Sequence, residues 1–154
     1  MRAMPRSRDL RKGRVSESGR VYILTIVTAQ RRPVFTDFVR GREIARAIAY
    51  HDRIGWSKTL AWVVMPDHMH WLLILGERGQ LHGLMRSFKG YTARVLNEHL
   101  QCKGKALWQS GYHDHAVRVD EDLRKLARYI LGNPLRAGLV EDIGQYPLWD
   151  ATWI

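Results

Sequence analysis

Apolar positions fall into blocks whose period changes along the chain. Val21 to Ala29 (VYILTIVTA) is β-branched and aromatic, the composition of a strand. From about Val39 to Ile54, the apolar residues Ile44, Ala45 and Ile48 recur at helical spacing. Thr59 to Met65 and His68 to Leu75 are two apolar runs joined by Pro66-Asp67. Proline cannot donate to a ladder, so this junction reads as a hairpin or tight strand-to-strand connection. Gly79 to about Leu100 predicts a second helix, with Leu81, Leu84, Phe88, Tyr91, Val95 and Leu96 inward. His113 to Val119 predicts a short strand. Asp120 then predicts the N-cap of a helix over Glu121 to about Gly132, whose first residues suit the helix dipole. The order strand, helix, strand, strand, helix, strand, helix is the ferredoxin-like succession with one helix added. It predicts an α+β domain: an antiparallel sheet with helices on one face, plus a C-terminal helix.

Charge turns this generic small domain into one that faces a polyanion. The chain of 154 residues has 25 Lys and Arg against 15 Asp and Glu, a net charge of +10. A field of that sign favours nucleic acid. An anionic membrane is the competing partner, yet no stretch approaches the roughly 18 consecutive apolar residues of a spanning helix. Residues 1–20 concentrate Arg2, Arg6, Arg8, Arg11, Lys12, Arg14 and Arg20 against Asp9 and Glu17, with almost no large apolar side chain. They read as a basic arm before a single domain over 21–154. The arm is either a solvated tail or a segment that orders on a phosphate backbone, and the whole-chain charge favours the second. The arginine-rich start lacks the apolar core of a secretory signal. The lone Cys102 permits no internal disulfide and no cysteine zinc site. Together these predict a cytoplasmic, DNA-associated protein in which Cys102 is incidental.

Two places carry candidate chemistry. In Asp67-His68-Met69-His70-Trp71, residues two apart on a strand share a face at about 6.5–7 Å, so the imidazoles of His68 and His70 can converge on one cation. The same spacing also describes two histidines on a half-wet sheet face. Their apolar neighbours Trp62, Val63, Val64, Leu72, Leu73 and Ile74 favour a partner for the rings. On the last helix, Leu123, Leu126, Ala127, Ile130 and Leu131 form the apolar side, while Asp122, Lys125, Tyr129 and Asn133 share another. Tyr129 is therefore either a solvated tyrosine or a functional one. Asn133, before Pro134, marks the helix end, and its amide oxygen lies one turn from the Tyr129 hydroxyl. Other features divide evenly. Arg86, Lys89 and Arg94 either track phosphates or form a solvated helix face. His113 and His115 suit a DNA-contact or structural role better than a second metal site. Trp108 and Tyr112 either stack on an unpaired base or belong to the core.

The strings VVMPDHMHWLLIL and RYILGNPLRAGLV together resemble the REP-associated tyrosine transposases, a branch of the single-tyrosine HUH transposases. LRKGRVSESGRVYILTIVT, RRPVF, SFKGYTARVLN and LWQSGYHDHAVR are also similar to that family, so the likeness spans roughly residues 10–145. Asp67 stands where the family more usually has asparagine, and Leu135 where valine is common. The resemblance implies His68 and His70 as metal ligands, Asn133 as a third ligand, and Tyr129 as the nucleophile on the C-terminal helix. It implies a divalent cofactor, Mg²⁺ or Mn²⁺, and single-stranded DNA with palindromic hairpins as partner. The protein would work as a monomer or homodimer.

The implied reaction is nicking and strand transfer through a 5′-phosphotyrosine. An ordinary tyrosine has a pKa near 10, so a nearby cation is expected, and Lys125 is the candidate for nucleophile activation. Arg6, Arg8, Arg11, Lys12, Arg14, Arg86, Lys89, Arg94 and His115 are the candidate DNA contacts. The alternative is a hairpin-binding protein of the same fold without turnover. A barrel metallohydrolase would need about 250 residues, and no aromatic RNA-binding string occurs on the first or third strand.

Overall fold

The β-branched run folds as β1 (Val21–Val27), with Tyr22, Leu24 and Ile26 turned into the core. The computed structural model describes residues 18–101, 104–118 and 121–152. Cys102, Val119, Asp120 and the arm residues Arg2, Arg6, Arg8, Arg11, Lys12 and Arg14 lie outside them. Asp37 starts α1 (Phe38–Arg53) by accepting the Val39 N–H. β2 (Ser57–Val64) and β3 (His68–Leu75) pair antiparallel, and the chain reverses over Pro66-Asp67 as expected. Next come α2 (Leu81–Leu100), β4 (His113–Ala116), α3 (Leu123–Leu131), the short α4 (Asn133–Arg136) and β5 (Trp149–Ala151).

The sheet runs β4-β1-β3-β2-β5, antiparallel throughout, so β3 is central and β4 is an edge. The strand alternation divides β3 between two faces. Met69, Trp71 and Leu73 are fully buried. Trp71 meets Phe88 of α2 with ring centroids 4.9 Å apart, and α2 packs on α1. His68 and His70 take the opposite face. α3 packs on β2, burying Ala127, Ile130 and Leu131, so the predicted apolar stripe is the buried side of this helix.

Several local expectations change. Asp122, not Asp120, caps α3, its carboxylate accepting the N–H groups of Arg124 and Lys125. Glu121 instead takes the Arg118 N–H at 2.6 Å, which delays the helix to Leu123. Asn133 does not only follow a helix end; it opens α4, with Pro134 in the first turn where a missing N–H costs nothing. On α2, Met85, Thr92 and Asn97 are buried while Tyr91 and Val95 are only half-buried. Thr92 tolerates burial because its hydroxyl bonds to the Phe88 carbonyl and receives the Trp108 indole N–H. Trp108 and Tyr112 are core residues, 5% and 8% exposed, and are not available for base stacking. β5 was not predicted. It pairs with β2 through Ala61–Ala151 and Val63–Trp149, and the Tyr146 hydroxyl donates to the Val64 carbonyl beside it.

Candidate active site

The histidine pair is built by cross-strand register. His70 stands opposite Thr25 on β1 and Val63 on β2, and His68 stands opposite Val27. The Thr25 hydroxyl lies 2.9 Å from His70 Nδ1. Asp67 Oδ1 accepts from His68 Nδ1 at 2.6 Å. The rings meet edge to face, centroids 5.0 Å apart. Each imidazole is thus held through Nδ1, and among the described residues neither Nε2 has a hydrogen-bond partner. For His68, whose Nδ1 faces an acceptor-only carboxylate, this is the state that presents a lone pair at Nε2; His70 does the same when the Thr25 hydroxyl accepts from its Nδ1.

The surrounding charges keep this state. His70 titrates at about 4, pushed down first by burial and then by the charges of His68 and Arg136. It is therefore neutral, and able to ligate, at neutral pH. For Asp67, burial pushes the carboxyl up, but the His68 hydrogen bond and the Arg31 guanidinium, 3.3 Å away, outweigh it and leave the pKa lowered. Arg31 reaches there from a left-handed backbone with φ of 51°. The turn itself is pinned: the Asp67 carbonyl takes the Thr28 N–H at 2.9 Å, and the Pro66 carbonyl takes the Phe35 N–H at 3.0 Å.

Tyr129 is 66% exposed on α3. The other tyrosines, Tyr22, Tyr50, Tyr91, Tyr112 and Tyr146, are buried or half-buried. Arg136 of α4 sits beside it, its guanidinium carbon 4.2 Å from the ring centroid, and Lys125 is exposed one turn earlier on the same helix. The Arg136 charge is also the smallest of the three causes that lower the His70 pKa, after burial and the His68 charge. Asn133 donates its side-chain Nδ2 to the Ile130 carbonyl at 3.0 Å, which leaves Oδ1 as its donor atom for a cation. No cluster of three His, Cys, Asp or Glu side chains exists among the described residues. A cation at this place would rest on two imidazoles and a neutral oxygen such as this amide. The residues fit such an ion, with coordination positions left for phosphate oxygen and water.

The other candidate DNA contacts lie elsewhere. Arg86 and Arg94 are exposed on α2, on the far side of the sheet from the histidines. Lys89 is not a free cation: its ammonium donates to the carbonyls of Gln109 and Gly111 at 2.8 and 2.7 Å. His115 is exposed on edge strand β4, 3.5 Å from Glu121. Thr25, Arg31 and Arg136 were missed as site residues. Thr25 and Arg31 reach the histidines only through strand pairing and a turn, which leave no mark in local spacing. Arg136 belongs to the string NPLRAGLV, which drew attention for its asparagine alone.

The five-stranded antiparallel sheet thus carries a His-x-His pair on its central strand, and the helix after β4 carries a solvent-facing tyrosine. The chain belongs to the family described as "Transposase IS200 like", which matches residues 17–133, a span containing His68, His70, Tyr129 and Asn133. It is 31% identical over 88 residues to the REP-associated tyrosine transposase of Escherichia coli (strain K12), covering 56% of this chain. The match takes in half the length of that relative. A Haemophilus influenzae protein carrying the same name provisionally is 27% identical over 139 residues, covering 84% of this chain and 78% of its own. Among solved structures, a REP-associated tyrosine transposase bound to a REP hairpin shares the fold, with a TM-score of 0.73 and 24% identity. It covers 96% of this chain and 82% of that one. No helix among the described residues is long and apolar enough to cross a membrane.

Proposed function

We propose that this protein is a metal-dependent single-strand DNA endonuclease and strand transferase, acting on palindromic hairpins through a covalent 5′-phosphotyrosine at Tyr129. The observation that carries the reading is the occurrence, within the span matched by the transposase family, of two imidazoles each held through Nδ1 and of an exposed tyrosine. The substrate class is taken from the hairpin bound by the fold neighbour and from the net charge of +10.

His68, His70 and Asn133 hold the divalent ion, Mg²⁺ or Mn²⁺. When bound, the ion supplies charge stabilisation to the nonbridging oxygens of the scissile phosphate. Asp67 and Thr25 fix the imidazoles so that little reorganisation is needed. The Tyr129 oxygen attacks phosphorus in line. A tyrosyl–phosphorus bond forms as the bond to the 3′ oxygen breaks, the phenolic proton passes to solvent, and the 3′ oxygen leaves as a hydroxyl. Because the phenol is itself a fair leaving group, a second 3′-hydroxyl can reverse the step, which suits strand transfer better than hydrolysis.

Tyr129→Phe removes the attacking atom and keeps the ring. With Mn²⁺ and a single-stranded hairpin substrate, nicking and the denaturation-resistant protein–DNA adduct should vanish while hairpin affinity stays within a few-fold. In wild type the adduct should map to Tyr129 and carry the fragment 3′ of the cut, joined through its 5′ phosphate, while the fragment 5′ of the cut is released with a free 3′-hydroxyl. If wild type forms no adduct on any palindromic single strand, the protein is a binder; an adduct at Tyr91 or Tyr112 would move the site.

A further inference from the structure

An exposed phenol on two rotatable bonds does not hold a direction by itself, and Tyr129 is only lightly packed at 66% exposure. Arg136 touches it twice: the guanidinium lies 4.2 Å from the ring centroid, and its Nη2 donates to the Tyr129 carbonyl at 2.6 Å. The arginine reaches back seven residues along the chain to do so, passing across Gly132. A methyl group at Gly132 would lie 2.6 Å from Arg136 Nη1. Gly132 has ordinary right-handed helical angles, φ −75° and ψ −7°, so no backbone strain asks for glycine there. An added Cβ would instead make the guanidinium, the far end of a flexible side chain, shift from its place beside the ring.

We infer that Arg136 is a positioning residue for the nucleophile, clamping the Tyr129 ring in its attacking orientation through the gap that Gly132 leaves. This rests on the reading of Tyr129 as nucleophile. A cation over an aromatic face is attracted by the ring quadrupole, modestly at an exposed site. That is enough to favour one ring orientation over its alternatives, without making Arg136 necessary for the fold. Misplacing a reacting atom by about 1 Å can cost on the order of 100-fold in rate, so the effect belongs in the chemical step rather than in DNA affinity.

Single-turnover adduct formation with Mn²⁺ and a saturating hairpin tests this. Arg136→Ala should slow the step about 10- to 100-fold and leave hairpin Kd within about threefold, and Arg136→Lys should recover part of the rate. Gly132→Ala keeps the arginine but displaces it. It should fold at least as well, since alanine favours a helix, yet slow the step in the same direction. The double variant should be no slower than Arg136→Ala alone, because both changes remove one interaction. In DNA-free protein, ring relaxation of ¹³C-labelled Tyr129 should rise in both variants. A rate within twofold of wild type in Arg136→Ala, losses that multiply in the double variant, or lost affinity with an unchanged saturated rate would each overturn the clamp. If wild type forms no adduct, the functional reading fails by itself. Unchanged Tyr129 ring mobility in Arg136→Ala then overturns the clamp independently.

Discussion

His70 depends on one neighbour that no motif contains. Thr25 supplies the oxygen opposite His70 Nδ1, 2.9 Å away and from a different strand. With Nε2 given to a cation, Nδ1 carries the proton and the Thr25 hydroxyl accepts it. Thr25→Val keeps the β-branched shape on β1 and removes that acceptor. Outer-shell partners of this kind are typically worth 10- to 100-fold in metal affinity. Titration of Mn²⁺ by electron paramagnetic resonance should therefore show binding weakened by about that factor in Thr25→Val, with thermal stability changed little. Equal affinities would mean that the ring is held by packing alone. Asp67 plays the same part for His68 but is itself held by Arg31, so its carboxylate is fixed from both sides.

At the scale of elements, the contact between α1 and α2 carries a titratable group unrelated to the site. His51 is fully buried, its Nδ1 on the Ala47 carbonyl at 2.7 Å and its Nε2 on the Ser87 hydroxyl at 2.9 Å, with Phe88 and Tyr91 rings around it. Burial pushes its pKa below 6.5, against the Ala47 hydrogen bond and the Asp52 charge, which push it up. A depressed pKa means that the unfolded chain takes the proton first. The stabilisation is complete above pH 6.5 and is lost as pH falls through the lower folded value. His51→Gln should cost about 1–3 kcal/mol at pH 7.5 by loosening a buried hydrogen-bonded pair. It should also flatten the decline of Tm between neutral and acid pH. A parallel decline in both proteins would assign the acid sensitivity to other groups. The same element boundaries show what sequence can carry. The apolar periods of β1, β2, β3 and α3 are local, so those elements and the inward stripe of α3 were legible. β5 is three residues whose strand character comes from pairing with Ala61 and Val63, a contact with no local signature. The cap moved from Asp120 to Asp122 because both are good caps and only the engagement of Glu121 with Arg118 decides between them. The shared strand face of His68 and His70 is legible in their spacing, whereas the roles expected of them, of Tyr129 and of Asn133 come from the resemblance and not from spacing. Arg136 escaped because its role depends on a fold-back over Gly132.

Over the whole molecule, charge and chemistry separate. Arg86 and Arg94 lie on the α2 side of the sheet, away from the histidines, and Lys89 is committed to loop carbonyls. Arg31 is paired with Asp67, and Arg136 is engaged with the ring and carbonyl of Tyr129. A strand held at the histidine pair must then draw much of its electrostatic affinity from elsewhere in a chain of net charge +10. The densest source is the arm, with Arg2, Arg6, Arg8, Arg11, Lys12 and Arg14 inside its first fourteen residues. Each phosphate neutralised on single-stranded DNA contributes about 0.7 to the slope of log K against log salt, so engagement of all six would account for about 4 units. Deleting residues 1–14 should flatten the slope by up to that amount and weaken hairpin binding most at low salt. The saturated rate of adduct formation, set by Tyr129 and its neighbours, should hold. Fluorescence anisotropy over a salt series reads the first quantity and single-turnover kinetics the second. An unchanged slope would make the arm a solvated tail and shift the electrostatic footprint to the α2 face, where Arg86→Ala and Arg94→Ala should then reduce it by about 0.7 each.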